Sequence, residues 1–179
     1  MSFFERGTMN EPSLCIRPAL AADLAELHPL IERAYRGDAA RGGWTHEADL
    51  IEGQRIEMAT LAAIVADDNE RLLVASRGGQ LVGSVQISNL KAAKAYLGLL
   101  TVDPGLQTGG LGRRLIEAAE AEAKSSFGAE TMELTVIAQR SELIAYYERR
   151  GYALTGEKRP FPIPLTPPLE LVVLAKALA

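Results

Sequence analysis

Residues 102–114 read Val-Asp-Pro-Gly-Leu-Gln-Thr-Gly-Gly-Leu-Gly-Arg-Arg, an apolar run that breaks into a turn with four glycines before a helical pattern begins. Glycine lets a backbone approach a ligand closely, and the amides at a helix start then point outward at an anion. Phosphate oxygens are what such a nest binds best. A plain Gly-rich turn has the same residues, and short glycine patterns recur by chance, so the spacing leaves both readings open. No Gly-Lys-Ser/Thr follows, which excludes a Walker loop. The pattern is also a poor dinucleotide fingerprint, because the strand before it comes late in a hairpin-rich chain. Two histidines and one cysteine are too few soft ligands for a zinc site, so no metal is expected.

The second informative run lies about 30 residues on, where residues 145–152 read Ala-Tyr-Tyr-Glu-Arg-Arg-Gly-Tyr. Together, Gln107-x-x-Gly110-x-Gly112 after Val102-x-Pro104, and this Tyr-Glu-Arg-x-Gly-Tyr run, resemble the two signatures of the GNAT superfamily of N-acetyltransferases. The resemblance covers residues 13–157 and extends by position to the last strand. Gly43 to Glu47 (Gly-Trp-Thr-x-Glu) and Pro160 to Pro162 (Pro-Phe-Pro) also resemble elements of a bacterial subgroup of that superfamily.

The resemblance implies an acetyl-CoA-dependent N-acetyltransferase in which a primary amine attacks the thioester directly. It implies that the backbone of Leu100, Thr101 and Val102 holds the acyl carbonyl and pantetheine arm. The amides of Gln107, Thr108, Gly109, Gly110, Leu111 and Gly112 would hold the pyrophosphate, and Arg113 and Arg114 lie where basic residues can meet the adenosine phosphates. Tyr147 stands at the family's acid position, where a phenol near the sulfur protonates the leaving thiolate. Two departures stand out. Many relatives carry a glutamate on the central strand, but Tyr96-Leu97-Gly98 has no carboxylate there. Arg140 stands where a relative has asparagine and could reach cofactor phosphate or an acidic substrate. Glu47, His46 and a water chain ending at Tyr96 are the candidates for the missing base. Trp44, Tyr96 and Phe161 are candidates for the acceptor pocket, and Trp44 reads equally well as a plug for the core beneath its loop.

These residues need elements to position them. The spacing predicts an edge strand at 13–17 and a helix from Leu24 to Tyr35, kinked or restarted at Pro29. It predicts one or two helices over 47–58, capped by Thr45. Residues 71–76 and 81–87 flank Gly78-Gly79 as a hairpin, and 95–102 reads as a strand covered on both faces. A helix over 111–124, a strand over 131–137 and a helix over 141–150 follow. Five prolines make 160–168 an extended loop, and 169–175 closes as a strand. The class is α/β with a mixed sheet. With the resemblance this becomes a mostly antiparallel sheet of six or seven strands, helices on both faces, and a splay between the fourth and fifth strands. Residues 1–11 are expected to be a disordered tail and 12–179 one domain. Cys15 reads as a small buried hydrophobe and His28 as a surface residue without a partner.

Composition bounds the rest. The chain has 179 residues, 47% hydrophobic and 23% charged, which is globular composition and argues against disorder. The longest apolar stretch, 95–100, is far short of the roughly 20 residues that span a bilayer. Residues 1–10 lack the run of a secretory signal, and the single cysteine fits a reducing cytoplasm. Residues 1–70 carry 13 acids and 6 bases, and residues 71–179 carry 10 acids and 13 bases. Such a chain could bring a cationic ligand and an anionic one together, although uneven surface charge needs no function. No dense Lys/Arg stripe suggests nucleic acid, and none of these features suggests a membrane partner. A small-molecule amine is the expected acceptor, with protein N-terminal or lysine acetylation as the alternative within the class. A different class is an acyl-CoA-binding sensing module with little turnover, suggested by the absent base. Homodimers are common in the superfamily, so a homodimer is an open expectation.

Overall fold

The computed structural model describes residues 12–36, 53–106 and 109–179. Its elements are β1 (Leu14–Pro18), α1 (Leu24–Tyr35), α2 (Met58–Ala66), β2 (Glu70–Arg77), β3 (Gln80–Lys91), β4 (Lys94–Val102), α3 (Leu111–Phe127), β5 (Thr131–Ile137), α4 (Ser141–Glu148), β6 (Ala153–Pro160) and β7 (Glu170–Ala177). Seven strands form one sheet in the order β1-β2-β3-β4-β5-β7-β6. Every neighbouring pair is antiparallel except β4 and β5.

Alternation along the strands builds two cores. On β2, Leu72 and Val74 face one side and Leu73 and Ala75 the other, as a two-residue period requires. The first side is covered by the apolar stripe of α1 (Leu24, Leu27, Leu30, Ile31, Ala34) and by Leu61 of α2. The second is covered by Leu111, Leu115, Ile116, Ala119 and Ala123 of α3, with Tyr147 of α4. Each such large side chain contributes on the order of 1.5–3 kcal/mol by leaving water. The β2–β3 hairpin turns on Gly78 and Gly79, both at positive φ, which matches the twist of the strands.

Helix α1 runs unbroken through Pro29, so the expected restart does not occur. Pro29 faces solvent, and the buried stripe on either side outweighs its lost hydrogen bond. The helix expected over 47–58 is corrected where it can be seen: 53–57 is irregular, and α2 starts only at Met58. Strand β6 was not foreseen because it is an exposed, polar edge strand whose ladder breaks at Gly156, φ +85°. Cys15 is exposed and not buried; on the edge strand β1 it points away from the face that packs Leu14 and Ile16 on the core. The expected tail over 1–11 and the remainder of 47–58 lie outside the described residues. No helix among the described residues is long and apolar enough to cross a membrane.

Candidate active site

The site begins with an irregularity in β4. Ser84 pairs with Thr101 and Gln86 with Gly98, so Val85 alone opposes both Leu99 and Leu100. This is a β-bulge, and Leu99 occupies it at φ +45°. A non-glycine residue there costs roughly 1–2 kcal/mol. Two side-chain hydrogen bonds hold it: the Thr101 hydroxyl donates to the Leu99 carbonyl at 3.1 Å, and the Tyr35 hydroxyl donates to the Leu100 carbonyl at 2.5 Å. The bulge also shifts the alternation by one residue. Ala95 and Leu97 before it, and Leu100 and Val102 after it, all face the α3 side, while Leu99 turns to α1.

Past Tyr96 the sheet opens. Strands β4 and β5 pair only through Lys94–Thr131, Ala95–Met132 and Tyr96–Glu133. Beyond that point β5 no longer engages the backbone of 97–102. Tyr96 and Thr135 bridge the mouth of the opening, hydroxyl to hydroxyl at 2.7 Å. A cavity of about 330 Å³ fills the splay between 97–100 and 134–137, with Tyr147 on its wall and Phe161, Pro162 and Ile163 at its rim.

Tyr147 is buried, and burial pushes its hydroxyl well above the usual range for a phenol; the nearby Arg140 charge opposes this weakly. Its ring is fixed edge-on between Tyr146 at 5.4 Å and Tyr152 at 5.8 Å. Tyr152 is anchored in turn, donating to Glu120 at 2.9 Å, and Glu120 pairs with Lys176 at 2.8 Å. Arg150, part of the same signature, stacks on Tyr146 at 3.3 Å from the ring centroid. It braces α4.

The glycine turn lies at the other end of β4. Asp103 accepts from the Gly105 amide at 3.0 Å and the Leu106 amide donates to the Asp103 carbonyl at 2.8 Å, so the chain reverses tightly. Gly110 is the N-cap of α3 at φ +73° and, as a glycine, brings no capping side chain of its own. The first helical bond runs from the Arg114 amide to the Gly110 carbonyl, so the amides of 111–113 precede the hydrogen-bonded ladder. No acidic residue occupies the first turn, which keeps that end positive. Leu111 and Gly112 are buried, while Arg113 and Arg114 are exposed. Arg113 lies 3.7 Å from Glu117, one turn on.

The structure therefore brings Leu100, Tyr96, Arg140, Tyr147 and Phe161 to one cavity, and places Gly109 to Arg114 at the helix start beyond Val102. Trp44, His46, Glu47, Gln107 and Thr108 lie outside the described residues. Several cavity residues went unrecognised in the sequence: Tyr35 and Arg36 at the end of α1, and Gln54 and Arg55 after it. The segment 53–57 is held by α1. Glu32 accepts from the Arg55 and Ile56 amides at 3.0 Å, and His28 donates to the Ile56 carbonyl at 2.8 Å. His28 thus has a structural partner, contrary to expectation. An adjoining cleft of about 540 Å³ shares Gln54, Arg55, Tyr96, Gly98 and Leu99 with the cavity and carries Glu57 and Gln86.

The acetyltransferase (GNAT) family model matches residues 25–152. Solved structures share the fold at low identity. A ribosomal-protein-S18-alanine N-acetyltransferase from Escherichia coli is 20% identical with a TM-score of 0.71, over 93% of this chain and 95% of that one. A putative acetyltransferase from Salmonella typhimurium, solved with acetyl-CoA, is 20% identical with a TM-score of 0.69, over 93% and 94%. The PaiA N-acetyltransferase from Thermoplasma acidophilum, in complex with coenzyme A, is 18% identical with a TM-score of 0.70, over 92% and 99%. No curated protein matches this sequence.

Proposed function

This chain belongs to the acetyltransferase (GNAT) family, and from that premise we propose that it transfers an acetyl group from acetyl-CoA to a primary amine on a small molecule. The observation that carries the reading is the open edge of β4 with Tyr147 on its wall and a helix start with glycine at its N-cap at the far end. That arrangement fits a long ligand with an acyl group at one end and phosphates at the other. Acetyl-CoA, when bound, supplies a thioester that a neutral amine can attack.

The residues divide the work along β4. The backbone of Leu100, Thr101 and Val102 holds the acyl carbonyl and the arm; the Leu100 carbonyl already accepts Tyr35, so this edge is rigid before ligand arrives. The amides of Gly109 to Gly112, with Gln107 and Thr108, hold the pyrophosphate at the helix start. Gly110 supplies the left-handed turn that exposes them. Arg113 and Arg114 meet the adenosine phosphates. Tyr147 donates its proton to the leaving sulfur; a phenol carries that proton at neutral pH, and burial pushes its ionisation to still higher pH. A carboxylate between α1 and α2 takes the proton from the incoming ammonium: Glu57 on the adjoining cleft, with Glu47 as the alternative. Trp44, Tyr96 and Phe161 wall the acceptor.

The test is free-thiol release from acetyl-CoA with amino acids, polyamines, aminoglycosides and short peptides as acceptors. Release above the no-acceptor rate with a small amine is the expected result. Release only with peptides would move the acceptor to proteins, and none at all despite acetyl-CoA binding would make the chain an acyl-CoA sensor.

A further inference from the structure

Val85 and Ile87 of β3 face the α3 side of the sheet, so Gln86 between them turns to the other face, where α1 and α2 pack. It stands directly opposite Gly98 in the ladder, one step before the β4 bulge. Its amide nitrogen donates to Glu70 at 2.9 Å and reaches the Ser88 hydroxyl at 3.5 Å, and that hydroxyl donates to Glu70 at 2.7 Å. A carboxylate only accepts, so Glu70 takes the NH2 side of the amide and turns its oxygen away. Nothing among the described residues donates to that oxygen.

The oxygen lies over Gly98. A Cβ added there would sit 3.6 Å from Gln86 Oε1 and 3.2 Å from the Tyr96 ring. Gly98 is not among the glycines at positive φ, so what glycine supplies here is room. Gly98 lines both the cavity and the adjoining cleft, and Gln86 and Glu57 both line the cleft. An acceptor without a partner thus stands where the two spaces meet, on the side of the bulge away from Thr101 and Val102. We propose, resting on the acetyltransferase reading, that the Gln86 amide oxygen accepts an N–H of the incoming amine over Gly98, with Glu70 as the positioning residue that fixes the amide. A neutral amide oxygen holds an amine without taking its proton, so the base keeps that task. Holding one N–H in a fixed direction also orients the nitrogen lone pair. Gln86 thereby supplies from β3 a polar contact that Tyr96-Leu97-Gly98, without a carboxylate, lacks on β4.

The experiment is calorimetric binding of phenethylamine, spermidine, glucosamine and alanylalanine to the full chain saturated with coenzyme A. Thiol release from acetyl-CoA is measured for the same amines. Gln86→Met removes the oxygen and keeps the length. The amine that binds the parent most tightly should bind this variant about fivefold to tenfold more weakly, or worse, while acetyl-CoA affinity holds within about twofold. Glu70→Lys puts a donor where the acceptor stood and draws the amide oxygen away from Gly98. It should cost about fivefold or more in the parent but less than about twofold in Gln86→Met, because Glu70 acts through Gln86. A structural or long-range charge effect would be the same in both backgrounds, and equal losses overturn the proposal. So does a smaller loss in Gln86→Met, a loss of acetyl-CoA affinity in its place, or no binding by any of the amines. Turnover that continues in Gln86→Met with an unchanged acceptor KM overturns the proposal and leaves the acetyltransferase reading intact. Amine binding that depends on Gln86 without thiol release supports the proposal and removes that reading instead. Where Gln86→Met does not fold, Glu70→Lys alone decides, and unchanged amine affinity there overturns the proposal.

Discussion

The hydroxyl of Tyr35 lies 2.5 Å from the carbonyl oxygen of Leu100, tying the last turn of α1 to the bulge of β4 across 65 residues of sequence. The bulge is strained at Leu99, φ +45°, and the hydroxyls of Tyr35 and Thr101 hold it. Tyr35→Phe keeps the ring and removes one of these bonds. It should cost about 1–2 kcal/mol in a denaturant melt, because a buried carbonyl loses its partner. Acetyl-CoA should also bind more weakly, as the open edge loses its fixed shape. Unchanged stability and affinity would show that the bulge holds without Tyr35.

Gly110 and Gly83 separate conformation from space. A Cβ on Gly110 meets nothing within 4 Å, but its φ of +73° strongly favours glycine. Gly110→Ala should therefore cost about 1–2 kcal/mol from backbone strain alone and weaken acetyl-CoA binding. At Gly83 a Cβ would sit 2.7 Å from the Thr101 carbonyl and 2.9 Å from Leu115. Gly83→Ala should destabilise more than Gly110→Ala, because the added methyl on β3 must push away both the Thr101 carbonyl of β4 and Leu115 of α3. Melts of both variants check the order, and the reverse order would contradict it.

Much of this arrangement is legible in the sequence. Strand β5 is found at its full length because alternation and flanking breaks agree over 131–137. Helix α3 is found because its apolar stripe is regular and Gly110 precedes it. The glycine run falls between the end of β4 and the start of α3, and the Tyr-Glu-Arg run falls on and just after the short helix α4. The bulge is less visible: the inward residues 95, 97, 100 and 102 are spaced two, three, two, but the run is so uniformly apolar that the extra residue does not show. Tyr35 reads as one more member of the α1 stripe, since periodicity marks burial and not what a hydroxyl binds. Arg55 sits in an irregular segment whose position depends on Glu32 and His28, contacts made at 23 and 28 residues' separation. Local pattern cannot report such contacts.

The buried phenols set an alkaline limit. Burial raises the hydroxyls of Tyr146, Tyr147 and Tyr152 above the usual value near 10, Tyr152 with help from the Glu120 charge. The folded state keeps them neutral while the unfolded chain ionises, so the unfolded chain gains as pH passes about 10. Stability should be flat for these groups through neutral pH and fall from about pH 10 upward. Thermal melts between pH 7 and 11 check this, with a shallower fall in Tyr147→Phe. An equally steep fall in that variant would assign the limit to other groups.

Two carboxylates compete for the ammonium proton, and paired variants decide between them. Glu57→Gln should lower kcat/KM for the acceptor by roughly a hundredfold, as loss of a general base does. Glu47→Gln should have little effect. The opposite pattern would move the role to Glu47, and small effects from both would point to water held at Tyr96.

The most direct test of the account removes one oxygen from Tyr147. Initial-rate measurement of thiol release by Tyr147→Phe, at saturating acetyl-CoA and acceptor, should show kcat reduced by about a hundredfold or more, with acetyl-CoA affinity and the melting profile at neutral pH preserved. A variant that turns over like the parent would contradict the assignment of the proton-donating role to this hydroxyl, and with it the reading of the β4–β5 opening as the place where the acyl group is transferred.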